Sequence, residues 1–236
     1  MLQNTLKRLG LIILLLISFA TVKAQSGDTF SSFSIGLGVG TTTVYDYTLE
    51  PQNKTAFHGT LSYNITPFFT LTGETQIGRF EGGDLTAFNM KHFQNTYIAA
   101  ILHADLQLGE LIDYSRSDFL YGLKDLYGGT GVGVLQNTIF FVQPFFPESN
   151  NQSFYNITLS SSNIIIPTIV GYDFKIYNGY SQPQIRVDVS YTWNTVFGQG
   201  IDGYVTEAPF KFYSYLSVGI KFGFGNAKLY RKPIRY

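Results

Sequence analysis

Residues 184–197 read QIRVDVSYTWNTVF, and they alternate between two chemically opposite faces. Ile185, Val187, Val189, Tyr191, Trp193 and Phe197 point one way, while Gln184, Arg186, Asp188, Ser190, Thr192 and Asn194 point the other. Successive side chains of a strand project to opposite sides, so the stretch is a ribbon with one oily and one wet surface. The wet face carries charge and the oily face ends in Tyr, Trp and Phe. That is the pattern of a strand with lipid outside it and a polar lumen inside.

Seven further stretches repeat it: residues 32–44, 56–65, 68–78, 95–108, 126–135, 163–177 and 214–225. In the first, Phe33, Ile35, Leu37 and Val39 oppose Ser34, Gly36, Gly38 and Gly40; in the last, Leu216, Val218, Ile220, Phe222 and Phe224 oppose Ser217, Gly219, Lys221 and Gly223. The connections alternate in length, with short ones at 66–67 and 178–182 and long ones at 45–55, 79–92, 136–162 and 198–211. Short turns on the periplasmic side and long loops outside are the habit of outer-membrane barrels. The pattern therefore predicts an all-β fold, an eight-stranded antiparallel up-and-down transmembrane β-barrel with both chain ends on the periplasmic side. One connection breaks the rule: residues 109–124 are long where a short turn belongs, with a helical turn expected near 117–124.

Composition agrees with a surface that never meets water. Of 236 residues only 14% are charged and 17% are aromatic, too little charge for the outer faces of a soluble β-domain. The chain has no cysteine, which excludes disulfides, thiolate metal sites and a Cys nucleophile. At the N-terminus Lys7 and Arg8 precede an apolar run over 9–20 and a Val22-Lys23-Ala24 cleavage site, the anatomy of a secretory signal. The predicted organisation is thus a signal peptide at 1–24, a barrel at 25–225 and a periplasmic tail at 226–236. Removing the signal changes 16 bases against 16 acids to 13 against 16, a balance that gives no support for nucleic-acid binding.

Aromatic residues gather at the strand ends of the oily face. Tyr63, Phe69, Tyr172, Phe174, Phe222 and Phe224 fall toward the periplasmic side, and Phe57, Trp193 and Phe197 toward the outside, as two girdles. The order Ser217-x-Gly219-x-x-Phe222-x-Phe224 resembles the signal that closes outer-membrane barrels, although here residues 226–236 follow it. The mature chain resembles the small OmpA/OmpX-type barrels, and its Tyr63-Asn64-Ile65-Thr66-Pro67-Phe68 turn resembles those of the Bacteroidetes outer-membrane β-barrel proteins. This resemblance implies a place in the cell outer membrane, surrounded by its lipids, and recognition of Ser217, Gly219, Phe222 and Phe224 by the barrel assembly machinery.

Candidate functional residues lie on the wet face and in the loops. Glu74, Asp105, Asp173 and Asp188 share the lumen with Lys175, Arg186 and Lys221, and with His58 and His103. Charges in a narrow interior have to pair, because stranding one costs several kcal/mol. A network that closes the lumen is expected, with Glu74 or Asp105 paired to Arg186 or Lys221; a gated ion path through the same residues is the alternative. In the outer loop 136–162, Phe140, Phe141, Phe145, Phe146 and Tyr155 are aromatic where a plain loop would be polar. They either pack across the barrel mouth, if the strands continue as a hairpin above the membrane, or form a patch for a surface partner or glycan.

No enzymatic activity, cofactor or metal is expected. The three histidines are His58, His92 and His103, with Ser62 or Asp84 as possible neighbours of the first two near the outer rim. That set would suit a lipid-modifying or proteolytic site less well than hydrogen bonding at the rim. The run Gly128-Gly129-Thr130-Gly131-Val132-Gly133 lacks the Lys-Ser/Thr and helix of a phosphate loop. The alternative fold is a soluble periplasmic lipocalin-like barrel whose oily faces line a cavity for an apolar ligand. Glycines and a few charges suit a tight lumen better than a water-facing surface, which favours the transmembrane reading.

Overall fold

In a computed structural model the alternating stretches become β1 (Asp28–Tyr45), β2 (Asn53–Asn64), β3 (Phe69–Gly82), β4 (His92–Gln107), β5 (Leu126–Gln143), β6 (Ser160–Tyr177), β7 (Pro183–Gly198) and β8 (Phe210–Tyr230). Each pairs antiparallel with its chain neighbour, and β8 returns to β1 to close the barrel. The structure describes residues 28–45, 51–83, 92–143, 160–179, 182–198, 201 and 210–230. Closure leaves no strand edge, so every ladder hydrogen bond is made within the wall.

The faces follow the alternation in every strand. Ile35, Leu37, Leu61, Leu102, Val134, Ile164, Val170, Val218 and Ile220 are exposed on the outside, while Ser34, His58, Thr72, His103, Asp173, Arg186 and Lys221 are buried within. Outward rings form a cluster at each end. Phe33 lies 5.2 Å from Tyr63 and 5.8 Å from Phe224 toward the chain ends, and Tyr172 lies 4.6 Å from Phe174. Toward the loops, Trp193 stacks on Tyr45 at 5.0 Å and meets Phe212 at 5.5 Å. On β6 the outward apolar series runs from Ile164 to Ile176. The twelve steps between them span about 40 Å along a strand and about 30 Å along the barrel axis at the usual tilt, close to the height of a lipid-facing band.

Above that band the polarity of the two faces inverts. Arg79, Gln94, Gln136, Thr138 and Ser162 now face out, and Phe80, Phe93, Leu135 and Ile139 face in. The strands thus continue beyond the band with a polar outer face and an interior in which aromatic and aliphatic side chains stand beside the buried Asn95, Asn137 and Asn163. This is why β5 runs to Gln143 and not only to Leu135: beyond Leu135 its pattern no longer reads oily-out.

Three bulges set the remaining boundaries. Phe140 has no partner on β4, because Gln94 pairs with Phe141 and Asn95 with Ile139. Gln184, expected on the lumenal face, is instead an exposed rim residue skipped between the Ile176–Ile185 and Tyr177–Pro183 pairs. On β8 the register shifts where Phe33 pairs with Phe224 and Ser31 with Ala227, and Gly225 takes a positive φ of 86° that a glycine adopts without steric cost. Past this bulge the strand resumes, so the tail expected from position 226 is strand as far as Tyr230, paired with the start of β1.

The long connection on the chain-end side holds α1 (Leu108–Leu111), a 3-10 turn (Tyr114–Arg116) and α2 (Asp118–Leu123), the last falling where a helical turn is expected near 117–124. The Ser117 hydroxyl caps α2 by accepting from the Leu120 N–H at 3.4 Å. This connection folds across the rim. The Phe68 ring is buried with Tyr114 at 5.6 Å and Tyr230 at 6.1 Å from it, and Glu110 accepts hydrogen bonds from Thr66 and Tyr230 at 3.0 and 2.8 Å.

Candidate functional site

All seven predicted lumenal charges face the interior, in the half of the barrel nearer the chain ends. Register stacks them in layers. Lys175, Arg186 and Lys221 stand side by side on β6, β7 and β8, and one step up Asp173 stands opposite Asp188. Like charges placed directly opposite repel. Here each layer is held by the layer of opposite sign beside it. Lys221 Nζ lies 3.1 Å from Asp188 and 3.6 Å from Asp173, and Arg186 lies 3.8 Å from Asp173.

Uncharged groups complete the network. Gln107 donates to Asp173 at 2.9 Å and Tyr127 to Asp188 at 2.8 Å, both reaching across from β4 and β5. Arg186 donates to Ser34 at 2.6 Å on β1, two strands away, and Lys175 donates to Gln107 at 2.7 Å while pairing with Asp125 at 2.7 Å. Glycines make the room. The Tyr127 ring lies where a side chain at Gly171 would project, and the Asp105 carboxylate occupies the place of one at Gly129. Among these residues lies a cavity of about 10 Å³ lined by Ser62, Thr70, Asp105, Gln107, Tyr127, Asp173, Arg186 and Lys221, space for about one water.

The expected partners of Glu74 and Asp105 differ from those found. Both pair with His103, which lies 2.8 Å from Asp105 and 3.4 Å from Glu74, and neither pairs with Arg186 or Lys221. The cations are already engaged by acids on neighbouring strands, and His103 sits on the same strand face as Asp105, two residues away. His58 is not at the outer rim; it is buried in the lumen, its Nδ1 2.8 Å from the Tyr215 hydroxyl. The His92 side chain and Asp84 lie outside the described residues, as do Phe145, Phe146 and Tyr155. Phe140 and Phe141 belong to β5, one as the bulge and one paired with Gln94. Ser217 and Gly219 line the lumen, and Phe222 and Phe224 lie on the outer wall.

The loop-side half of the lumen is filled differently, and sequence reading did not find it. Phe80 stacks on Tyr97 with centroids 4.0 Å apart and planes within 4°, and Tyr213 closes on Phe80 at 4.8 Å. Val44, Ala56, Phe93, Leu135, Ile165, Val196 and Ile201 pack around them as a buried core. Tyr97 and Gln76 join the two halves: the Tyr97 hydroxyl donates to Gln76 at 3.4 Å, and Gln76 donates to Glu74 at 2.7 Å. Within this half, Asn95, Asn137 and Asn163 stand opposite Phe80, Tyr97 and Leu135; Asn137 accepts from Ser161 at 2.5 Å and from Asn163 at 3.2 Å, and both Asn95 and Asn137 donate to the Ile201 carbonyl. Among the described residues no cluster of three or more acids or histidines is arranged to hold a metal ion.

No protein-family model matches the chain, and no curated protein matches it. Several solved structures are similar in fold. The Neisserial surface protein A is 13% identical, covers 82% of this chain and 98% of its own, and superposes with a TM-score of 0.48. The attachment invasion locus protein Ail of Yersinia pestis, solved with the heparin analogue sucrose octasulfate, is 15% identical over 84% of this chain and 100% of its own, with a TM-score of 0.43. The outer membrane protein OprG of Pseudomonas aeruginosa is 10% identical over 82% of this chain and 98% of its own, with a TM-score of 0.39.

Proposed function

We propose that this chain is an integral outer-membrane barrel that does not conduct freely, and that it serves the cell surface through the loop-side extension of its wall. One observation carries the membrane assignment. A closed barrel with its charges buried turns a band of Leu, Ile, Val and Phe outward, and only lipid covers such a surface without an energetic penalty. The soluble lipocalin-like alternative needs the reverse, an apolar interior at the level where this barrel holds its ion pairs.

The closed lumen is the second half of the reading, supported by the ionic network and the aromatic core stacked one above the other. In this reading residues 1–24 are a cleaved secretory signal, and Ser217, Gly219, Phe222 and Phe224 address the chain to the assembly machinery. The turn around Thr66 and Pro67 supports kinship with the Bacteroidetes barrel proteins. The role is non-enzymatic: His58 and His103 are engaged by Tyr215, Asp105 and Glu74 inside the barrel. The outer loop, with Phe145, Phe146 and Tyr155, is where a surface ligand or glycan would be met.

Charge tolerance tests the membrane assignment. Val218→Arg, on the outer wall, is expected to cost roughly 2–4 kcal/mol in lipid vesicles. Urea unfolding that finds Val218→Arg as stable as the unmodified barrel would overturn it. Orientation is tested on intact cells: a cysteine at Ser149 labels with an impermeant reagent and one at Ser181 does not, and the opposite result reverses the topology.

A further inference from the structure

We propose that the connection between β4 and β5 is an interfacial anchor, one that sets Phe119 and Leu111 into the lipid leaflet around the chain-end rim; this rests on the reading of the barrel as membrane-embedded. Phe119 is 72% exposed and Leu111 67%, as open as Leu37 at 74% on the lipid-facing wall. Yet both sit on the helices of a rim connection and not on the wall. α2 reads DFLYGL and buries none of its residues, although Phe119, Leu120, Tyr121 and Leu123 are apolar or aromatic. A helix this short has little stability of its own in water.

The backbone of this connection is nevertheless moored. The Tyr172 hydroxyl donates to the Gly122 carbonyl at 2.6 Å, and Lys124 Nζ lies 4.0 Å from the Tyr121 ring centre and 5.3 Å from that of Tyr114. The first of these contacts identifies the occupant. Tyr172 belongs to the outward face of β6 and packs on Phe174, so the C-terminal end of α2 lies where the lipid-facing wall ends. Through Tyr172 the connection thus meets the outward face of the wall directly. Asp113, Ser115 and Asp118 are exposed on the same connection and give it a wet side. An apolar face beside a polar one, level with the headgroups, is what binds in the plane of a bilayer. It also gives a reason for a long connection where the barrel needs only a tight turn.

The chain has a single tryptophan, Trp193, on the outer wall, and that makes the test self-controlled. In a Trp193→Phe background, Phe119→Trp and Leu111→Trp report the surroundings of the two anchor positions, and Ser115→Trp serves as the water reference. The proteins are reconstituted into phosphatidylcholine vesicles with and without bromine on the acyl chains. Both anchor probes are expected to emit to the blue of the Ser115 probe and to lose at least as much intensity to brominated lipid as Trp193 loses in the unmodified protein. Quenching of both anchor probes by aqueous iodide, with brominated lipid without effect while Trp193 is still quenched by it, overturns the anchor and leaves the barrel reading standing. Equal lipid quenching at Ser115 also overturns it, because the connection then has no wet side. If Trp193 itself ignores brominated lipid, the membrane reading fails along with the anchor.

Discussion

The two halves of the lumen solve the same packing problem with opposite chemistry. Near the chain ends the barrel is filled by Asp173, Asp188, Lys175, Arg186 and Lys221, and near the loops by Phe80, Tyr97, Tyr213 and their aliphatic neighbours. The difference tracks what lies outside the wall. Where the outer face is Val, Ile and Leu, the inner face carries the ion pairs; where the outer face is Arg79, Gln94 and Gln136, the inner face carries Phe80, Phe93 and Leu135, with Asn95 and Asn137 among them. Over most of each strand the two faces contrast, residues 160–163 of β6 and 41–43 of β1 being polar on both. A slip of one residue moves every side chain to the other face, so the contrast holds the register in lipid and in water alike.

The halves should therefore fail differently. The largest effect is expected for Asp173→Ala, which leaves Lys221 and Arg186 in a buried layer of cations with only Asp188 beside them; loss of one partner of a buried pair costs about 3–5 kcal/mol. The double change Asp188→Leu with Lys221→Met removes both partners of one pair and should cost less than Asp173→Ala. Urea midpoints in lipid vesicles decide this, and a double change that costs more would mean that packing, and not charge balance, governs the ionic half.

Next comes Phe80→Ala, which opens a hole between Tyr97 and Tyr213 and should cost about 3–4 kcal/mol by the same measurement. A loss below about 1 kcal/mol would show that the loop-side core is slack. Tyr97→Phe removes only a long hydrogen bond to Gln76 and should cost about 0.5–1 kcal/mol. The smallest expected effect is on conduction: Phe80→Ala and Arg186→Ala should each leave planar-bilayer currents near baseline, because the other half still fills the lumen. Currents of general-porin size from either variant would show that a single half carries the seal.

The outward and inward assignment of every strand was legible in the sequence, because alternation is local and needs no partner. Pairing was not. The stretch Asp173-x-Lys175 on β6 and Arg186-x-Asp188 on β7 contains the layering in mirror image, but counting outward from the Tyr177–Pro183 pair sets Asp173 opposite Val187, on the wrong face. The bulge at Gln184 adds the residue that brings Asp173 to Asp188. Glu74 and Asp105 were matched to distant cations for the same reason, when His103 stood two residues from Asp105. The aromatic core escaped because it begins where the polarity inverts: Phe80, Phe93, Tyr213 and Tyr215 lie beyond or at the ends of the stretches that read oily-out.

The Gly225 bulge bears on how the barrel comes to be closed. Seven of its eight strand pairs join neighbours in the chain and can form as hairpins while the rest is still loose. The eighth joins residues such as Ser32 and Asn226, whose hydrogen bond of 2.9 Å spans 194 positions. Bringing such distant segments together carries the largest loop-closure entropy, which makes this the natural last and slow step of folding. By letting β8 bend and run on to Tyr230, the bulge adds Asp28–Ser31 to the final pair beyond the outward aromatic cluster of Phe33, Tyr63 and Phe224. The seam acquires a clasp outside the lipid, where two strand ends can find each other in water before the wall zips shut.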